Sequence, residues 1–104
     1  MSAYLLTRTE LMPSRGQKSF YKKAFVENWL KAKKDIFVLK SYDTHILVVY
    51  KDRLYRESET DESDFTQTTL KHCRSFVDQY CALKDMHKKD FLDLDTINLD
   101  DLLD

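Results

Sequence analysis

The chain has 104 residues, a length that suits one small domain, and no break in composition divides it in two. The formal net charge is only −1, but residues 1–40 carry nine Lys or Arg against three Asp or Glu, whereas residues 90–104 carry six Asp and no basic residue. Because there is neither a run of about 20 apolar residues nor a secretory-type start, we expect a cytoplasmic protein with no membrane partner.

The first third of the chain is predicted to hold one strand between two irregular stretches. Residues 1–17 contain the only proline and the only glycine, and they are interpreted as an irregular arm. Residues 18–27, KSFYKKAFVE, mix aromatic and β-branched residues with lysines, a pattern that favours a strand over a helix. Residues 28–35 carry three lysines without strand alternation and are predicted to be a connection.

Three further strands are predicted in the middle of the chain. Residues 36–41 and 44–50 are dense in Ile, Val, Leu and Phe, the residue types that suit a pleated, half-buried surface. A short strand at 53–57 would follow a tight turn at Lys51 and Asp52. This turn would close a hairpin without the favoured Asn-Gly sequence.

One amphipathic helix is predicted in the C-terminal half of the chain. Its apolar stripe has three- and four-residue spacing and comprises Leu70, Cys73, Phe76, Val77, Tyr80, Cys81 and Leu83. Thr66 or Thr68 would cap its N-terminus, and Arg74 with Asp78 would form an ion pair on the exposed side. The two cysteines of the stripe would lie ~12 Å apart along the helix, which is too far for a disulfide.

These elements predict an α+β fold, in which one long helix packs on one face of a small antiparallel sheet of about four strands. The core would span residues 18–89, between the irregular N-terminal arm (1–17) and an acidic C-terminal tail (90–104). The acidic run 57–64 would be a solvated loop. The tail alternates Asp with Leu, Ile and Phe, so it would either pack on the body as a short amphipathic helix or be held for a partner.

No motif in the sequence predicts a catalytic or metal centre. The three histidines lack the spacing of metal ligands, and a single glycine cannot form a phosphate-binding loop, so we expect no metal and no cofactor. The polar stretch 41–45 is interpreted as a bend between two strands. An enzyme would require part of this stretch to converge with helix residues as nucleophile, base and orienting group. The residues concerned are Ser41, Tyr42, Asp43, Thr44, His45, His72 and Cys73.

Two groups of charged residues are candidate binding surfaces. The acidic group would contact a basic partner, together with the apolar Phe91, and comprises Glu57, Glu59, Asp61, Glu62, Asp64, Asp90, Asp93, Asp95, Asp100 and Asp101. The basic group would contact nucleic acid, with Tyr21 and Trp29 as stacking groups, and comprises Lys22, Lys23, Lys31, Lys33 and Lys34.

Three short blocks carry a resemblance to a known family. KSFYKKA (18–24), LKSYDTHI (39–46) and FTQTTLKHCRSFV (65–77) resemble, in order and spacing, a family of small uncharacterised phage and prophage proteins. The likeness covers about residues 17–80 and departs at Lys22, where the family usually has Gly. It implies a phage or mobile-element origin and a compact domain of sheet plus helix. It does not indicate any particular activity.

The expected function is stoichiometric binding of a host macromolecule without catalysis. In its sharpest form, the protein is an anti-CRISPR or other anti-defence inhibitor whose acidic residues occupy the nucleic-acid channel of a host nuclease. Phe91, Leu92 and Leu94 would then act as apolar anchors. The alternative is a nucleic-acid-binding accessory protein that uses the basic N-terminal face.

Overall fold

The computed structural model describes residues 2–13 and 20–104. The elements in chain order are β1 (Tyr4–Glu10), β2 (Ala24–Lys31), β3 (Lys34–Ser41), β4 (Thr44–Tyr50), β5 (Arg53–Glu57), a 3₁₀ helix (Glu62–Asp64), α1 (Gln67–Tyr80), α2 (Lys88–Leu92), β6 (Thr96–Ile97) and α3 (Leu99–Leu103).

The described strands form one six-stranded sheet in the order β1-β2-β3-β4-β5-β6. Each neighbouring pair is antiparallel except β5 and β6, which run parallel. The α+β class is confirmed. The sheet of about four antiparallel strands is wrong, because the segments assigned to the arm and the tail each add a strand.

The predicted irregular arm is wrong over β1. This strand pairs antiparallel with β2 from Tyr4 opposite Leu30 to Glu10 opposite Phe25. Its apolar and Thr residues suit a strand, and Pro13, which cannot donate to a ladder, follows its end. Gly16 lies outside the described residues.

The predicted strand at 18–27 is displaced towards the C-terminus. Residues 18 and 19 lie outside the described residues, residues 21–23 form a turn, and the strand runs from Ala24 to Lys31. The predicted connection 28–35 is therefore mostly strand, interrupted only at Ala32 and Lys33. Lysines are frequent at the ends of these two strands, β2 and β3. Their presence obscured the alternation of apolar and polar side chains in the sequence.

The turns on either side of β2 contain residue types that are not typical of turns. The two-residue turn between β2 and β3 places Ala32 and Lys33 at φ of 49° and 66°, and Tyr21 and Lys22, in the longer connection between β1 and β2, have φ of 55° and 62°. Two-residue hairpin turns favour this left-handed backbone, which non-glycine residues adopt at a cost of roughly 1 kcal/mol each. The sequence offers no Gly or Asn at these positions.

The helix α1 agrees with the sequence pattern over most of its length. Thr66 caps it by accepting a hydrogen bond from the Thr69 backbone N–H at 3.2 Å, and Phe76 is fully buried. The helix ends at Tyr80, so the last two residues of the predicted stripe lie in the following segment. Both cysteines are free thiols. No helix among the described residues is long and apolar enough to cross a membrane.

The sheet separates two apolar clusters. On one face α1 packs over a cluster that includes Ala24, Val26, Leu39, Leu47, Phe76 and Val77. On the other face α3 packs over a smaller cluster that includes Trp29, Ile36, Val38, Val48 and Leu99. Side chains alternate between these faces along each strand, and β4 accommodates one extra residue, Ile46, at a bulge opposite β3.

The acidic tail 90–104 folds onto this body. The backbone N–H of Arg56 donates to the carbonyl of Asp95 at 3.0 Å, and that of Ser58 donates to the carbonyl of Ile97 at 2.9 Å, which adds β6 to the sheet. Phe91 is 0% exposed and stacks at 6.3 Å from Phe65. Phe91 is therefore a core residue and cannot serve as the exposed anchor that the sequence predicted.

Candidate functional site

An acidic cleft of about 320 Å³ lies where the β3–β4 turn, the end of β5, the following loop and α3 meet. We call it the acidic cleft, and its lining residues are Asp43, Thr44, His45, Glu57, Glu59, Thr60, Asp64, Leu99 and Asp100. Five of these described residues carry a carboxylate and none is Lys or Arg. Four of the five carboxylates were predicted acidic candidates, and Asp43 joins them from the polar stretch.

Glu57 is the structural centre of the cleft. Its side chain is buried, Oε1 accepts the backbone N–H of Glu59 at 2.6 Å, and Oε2 accepts that of Leu99 at 2.6 Å. Thr60 closes the loop by donating its hydroxyl to the Glu57 carbonyl at 2.7 Å. The carboxylate thus fixes both the acidic loop and the start of α3, and it places their carboxylates around one space.

The remaining carboxylates of the cleft face solvent. Asp43, Glu59 and Asp100 are exposed, whereas Asp64 is half-buried and accepts the Asp61 backbone N–H at 2.9 Å. Charges of one sign in a concave surface focus the electrostatic field and raise the local concentration of the opposite charge. The acidic cleft therefore favours a cationic ligand.

Several predicted acidic residues lie outside the acidic cleft. Glu62 pairs with Lys88 at 3.6 Å, Asp95 pairs with Arg53 at 2.7 Å, and Asp90 accepts the backbone N–H of His87 at 2.8 Å. The exposed side chains of Asp93 and Asp101 also lie outside the cleft lining. Ser63 hydrogen bonds hold the pKa of the Asp61 carboxyl below its usual range.

A buried carboxylate that the sequence did not single out lies beside the cleft. Glu27 is 5% exposed, and its Oε1 contacts His45 Nε2 at 2.9 Å and accepts the Trp29 indole N–H at 3.2 Å. The His45 hydrogen bond is the main cause that lowers the Glu27 pKa, and Arg8 at 3.9 Å adds to it. The sequence did contain a signal for this burial, because Glu27 shares a strand face with the large aromatic residues Phe25 and Trp29.

A second polar cluster is buried beneath α1. Ser41 Oγ lies 2.8 Å from His72 Nδ1 and 3.0 Å from Thr69 Oγ1. Phe20 contacts the imidazole edge-on at 4.6 Å, and Tyr42 lies 5.9 Å from it. The three segments that carry the sequence resemblance therefore meet at this histidine.

His72 is held neutral by its surroundings. Burial is the main cause that lowers the His72 pKa to about 4, and the Lys23 charge lowers it further. Its Nε2 has no hydrogen-bond partner within residues 2–13 and 20–104. The neutral ring accepts or donates at Nδ1 towards Ser41, so this cluster ties β3 to α1.

The enzyme constellation considered from the sequence converges only in part. Ser41 and His72 are together on the α1 face, whereas His45 reaches Glu27 on the face that carries Trp29 and α3. Burial raises the pKa of the Cys73 thiol beyond the physiological range, so this cysteine stays protonated. Among the described residues, no cluster of His, Cys, Asp and Glu has metal-binding geometry.

The five basic candidates do not form one surface. Lys22 and Lys23 lie before β2, and Lys33 and Lys34 lie after it, about 25 Å away at 3.3 Å per residue. Lys31 instead donates its ammonium to the Leu102 carbonyl at 2.5 Å at the C-terminal end of α3. Contact with nucleic acid through all five lysines stays a prediction that this geometry does not favour.

Fold and site together define a small α+β protein with a mixed sheet and an acidic cleft at its edge. The chain belongs to a family of unknown function, DUF8033, whose model matches residues 8–93. No curated protein and no solved structure matches it. The family match begins within β1, covers β2 to β5, α1 and α2, and ends before β6 and α3.

Proposed function

We propose that the protein works by stoichiometric binding, with the acidic cleft contacting a basic region of a partner protein. The observation that carries the proposal is the convergence of carboxylates from four separate segments on one concave surface without an opposing Lys or Arg. Like charges held together by folding destabilise the free protein slightly, and a cationic partner relieves that repulsion.

The chemistry of the cleft indicates how it would bind. Exposed carboxylates such as Glu59 and Asp100 accept charge-assisted hydrogen bonds from arginine and lysine side chains. Complementary charge mainly accelerates association and selects the partner, and it does so most strongly at low salt. Glu57 contributes indirectly, because both its oxygens are already committed to backbone N–H groups.

The finer form of the proposal names the kind of partner. A surface that binds nucleic acid carries the clustered Lys and Arg that the acidic cleft would complement. The protein would then be a phage or mobile-element inhibitor, of the anti-CRISPR or another anti-defence type, that covers the nucleic-acid channel of a host nuclease. Support comes from the acidic cleft and from the sequence resemblance to phage and prophage proteins.

The test compares two variants of equal charge. A cleft variant carries Asp43→Asn, Glu59→Gln and Asp100→Asn, and a control variant carries Asp35→Asn, Asp52→Asn and Asp93→Asn at exposed positions outside the acidic cleft. Each immobilised protein is exposed to host lysate, and captured proteins are identified by mass spectrometry. A captured nuclease is then assayed for cleavage with increasing amounts of each variant.

We expect wild type and the control variant to capture the same basic protein and to inhibit it at equimolar amounts. The cleft variant should bind about tenfold or more weakly, since charge-assisted contacts are lost. Equal capture and inhibition by both variants would rule out the acidic cleft as the contact surface. Capture without inhibition would retain the binding function and remove the nuclease-inhibitor form.

A further inference from the structure

A second cleft, of about 410 Å³, lies between the outer side of α1 and residues 83–87. We propose that this cleft, the α1 cleft, binds a small phosphate monoester in which the phosphate is attached to an apolar body. It lies apart from the acidic cleft, and no residue lines both. The proposal is therefore independent of the protein-binding function.

Arg74 is the preorganised group of the α1 cleft. The prediction of an ion pair between Arg74 and Asp78 is wrong. This pair is not among the ion pairs within 4.0 Å that the described residues form. Arg74 instead donates Nε–H to the Met86 carbonyl at 3.0 Å. This bond fixes the guanidinium plane while both Nη groups keep no described partner, which is the geometry that grips a phosphate bidentately.

The charges around Arg74 favour an anion. Lys71 precedes it by three residues on the same side of α1, and Lys84 and His87 line the opposite wall. Asp78 and Asp85 also line the cleft and reduce the field. Three permanent cations against two carboxylates leave a positive balance, and a phosphate dianion gains more from the bidentate Arg contact than a monovalent anion does.

The remaining wall suits an apolar group. Val77 is buried at the base of the cleft, Met86 is half-buried, and Leu83 is 41% exposed. Ligand sites commonly pair such an apolar wall with a few fixed polar groups. Since charged and apolar surfaces lie side by side, a free phosphate would use only half of the site.

The test is an NMR titration that separates the two halves of the ligand. Amide shifts of the full chain are followed with phenyl phosphate, a monophosphate with an apolar body, with inorganic phosphate and with phenol. We expect the monophosphate to shift residues 71–78 and 83–87 at the lowest concentration. Inorganic phosphate should shift only the basic side, and phenol only the apolar side, each with at least about tenfold weaker affinity.

Matched variants test the assigned contacts. Lys71→Gln removes a cation without touching the Arg74 to Met86 bond, and Lys89→Gln removes an exposed lysine outside the cleft lining. We expect Lys71→Gln to weaken monophosphate binding severalfold and Lys89→Gln to leave it unchanged. Leu83→Ala should weaken the monophosphate but not inorganic phosphate. Equal losses in both lysine variants, shifts scattered over the surface, or no shift at roughly 10 mM monophosphate would overturn the proposal.

Discussion

Glu57 Oε2 accepts the backbone N–H of Leu99 at 2.6 Å, across 42 positions of sequence. This bond ties the end of β5 to the first residue of α3 and thereby closes the acidic cleft. A carboxylate at this point satisfies a helix N–H that would otherwise lack a partner, and its charge suits the N-terminal end of a helix. The acidic cleft therefore depends on a contact that only the folded chain makes.

Replacing Glu57 should therefore loosen both sides of the cleft. The Glu57→Gln amide presents a donor towards backbone N–H groups, and we expect the free energy of unfolding to fall by roughly 1–3 kcal/mol. Urea denaturation followed by circular dichroism measures this loss. Glu59→Gln, at an exposed neighbour, is the matched control and should change stability by less than about 0.5 kcal/mol. Similar losses in both variants would contradict the structural role of Glu57.

His72 should make stability dependent on pH. Its pKa is about 4 in the folded protein and 6.5 in the unfolded chain, so the unfolded chain takes up a proton first as pH falls. Its stabilising contribution is complete above pH 6.5 and is lost as pH falls from 6.5 towards 4. We expect a loss on the order of 1–3 kcal/mol over this window.

Urea denaturation at several pH values between 7.5 and 4 measures this slope, with His72→Gln as the comparison. Glutamine keeps a polar side chain that can contact Ser41 but does not titrate. The variant should be less stable at pH 7 and should show a flatter decline below pH 6.5. Parallel curves for the two proteins would show that His72 does not titrate on unfolding.

The left-handed backbone at Lys22 predicts a stabilising substitution. Its φ of 62° is unfavourable for any residue with a Cβ, and its side chain is exposed. Lys22→Gly should raise the free energy of unfolding by roughly 0.5–1 kcal/mol, net of the entropy of glycine in the unfolded chain. Lys34→Gly, in the extended backbone of β3, should lower it. Thermal denaturation of both variants decides this, and destabilisation at both positions would contradict the turn assignment.

Replacing Phe91 distinguishes a core role of this side chain from a binding role. The side chain is fully buried, so Phe91→Ala should cost roughly 3–5 kcal/mol, as should Phe76→Ala in α1. Met12→Ala, at a 60% exposed position, is the control and should change stability by about 0.5 kcal/mol or less. Chemical denaturation gives all three values. A loss below about 1 kcal/mol for Phe91→Ala would show that the Phe91 side chain is not buried in the core.

The sequence predicted best where local pattern and burial agree. Strands β4 and β5 begin and end where the β-branched and aromatic runs indicated, and α1 begins after Thr66, one of its two predicted caps. The errors fall where local chemistry and tertiary context disagree. The left-handed Ala32 and Lys33 turn lacks Gly, and β6 is a two-residue strand that exists only because β5 is beside it.

The acidic residues of the site were visible in the sequence, but their grouping was not. Asp43 and Asp100 are far apart in the chain and meet because Glu57 fixes α3 against the β5 loop. The apolar residues among the acidic ones gave a misleading signal, since Phe91 packs inward instead of binding outward. Periodicity reports which face of an element is apolar and carries no information about which distant element covers it.

The most direct test of the central claim is an NMR titration of the full chain with a short peptide rich in Arg and Lys. We predict that amide shifts concentrate at residues 43–45, 57–64 and 99–100, that they fade at high salt, and that the cleft variant loses them while the control variant keeps them. Shifts spread evenly over all acidic residues, or equal shifts in the two variants, would contradict the acidic cleft as a binding surface.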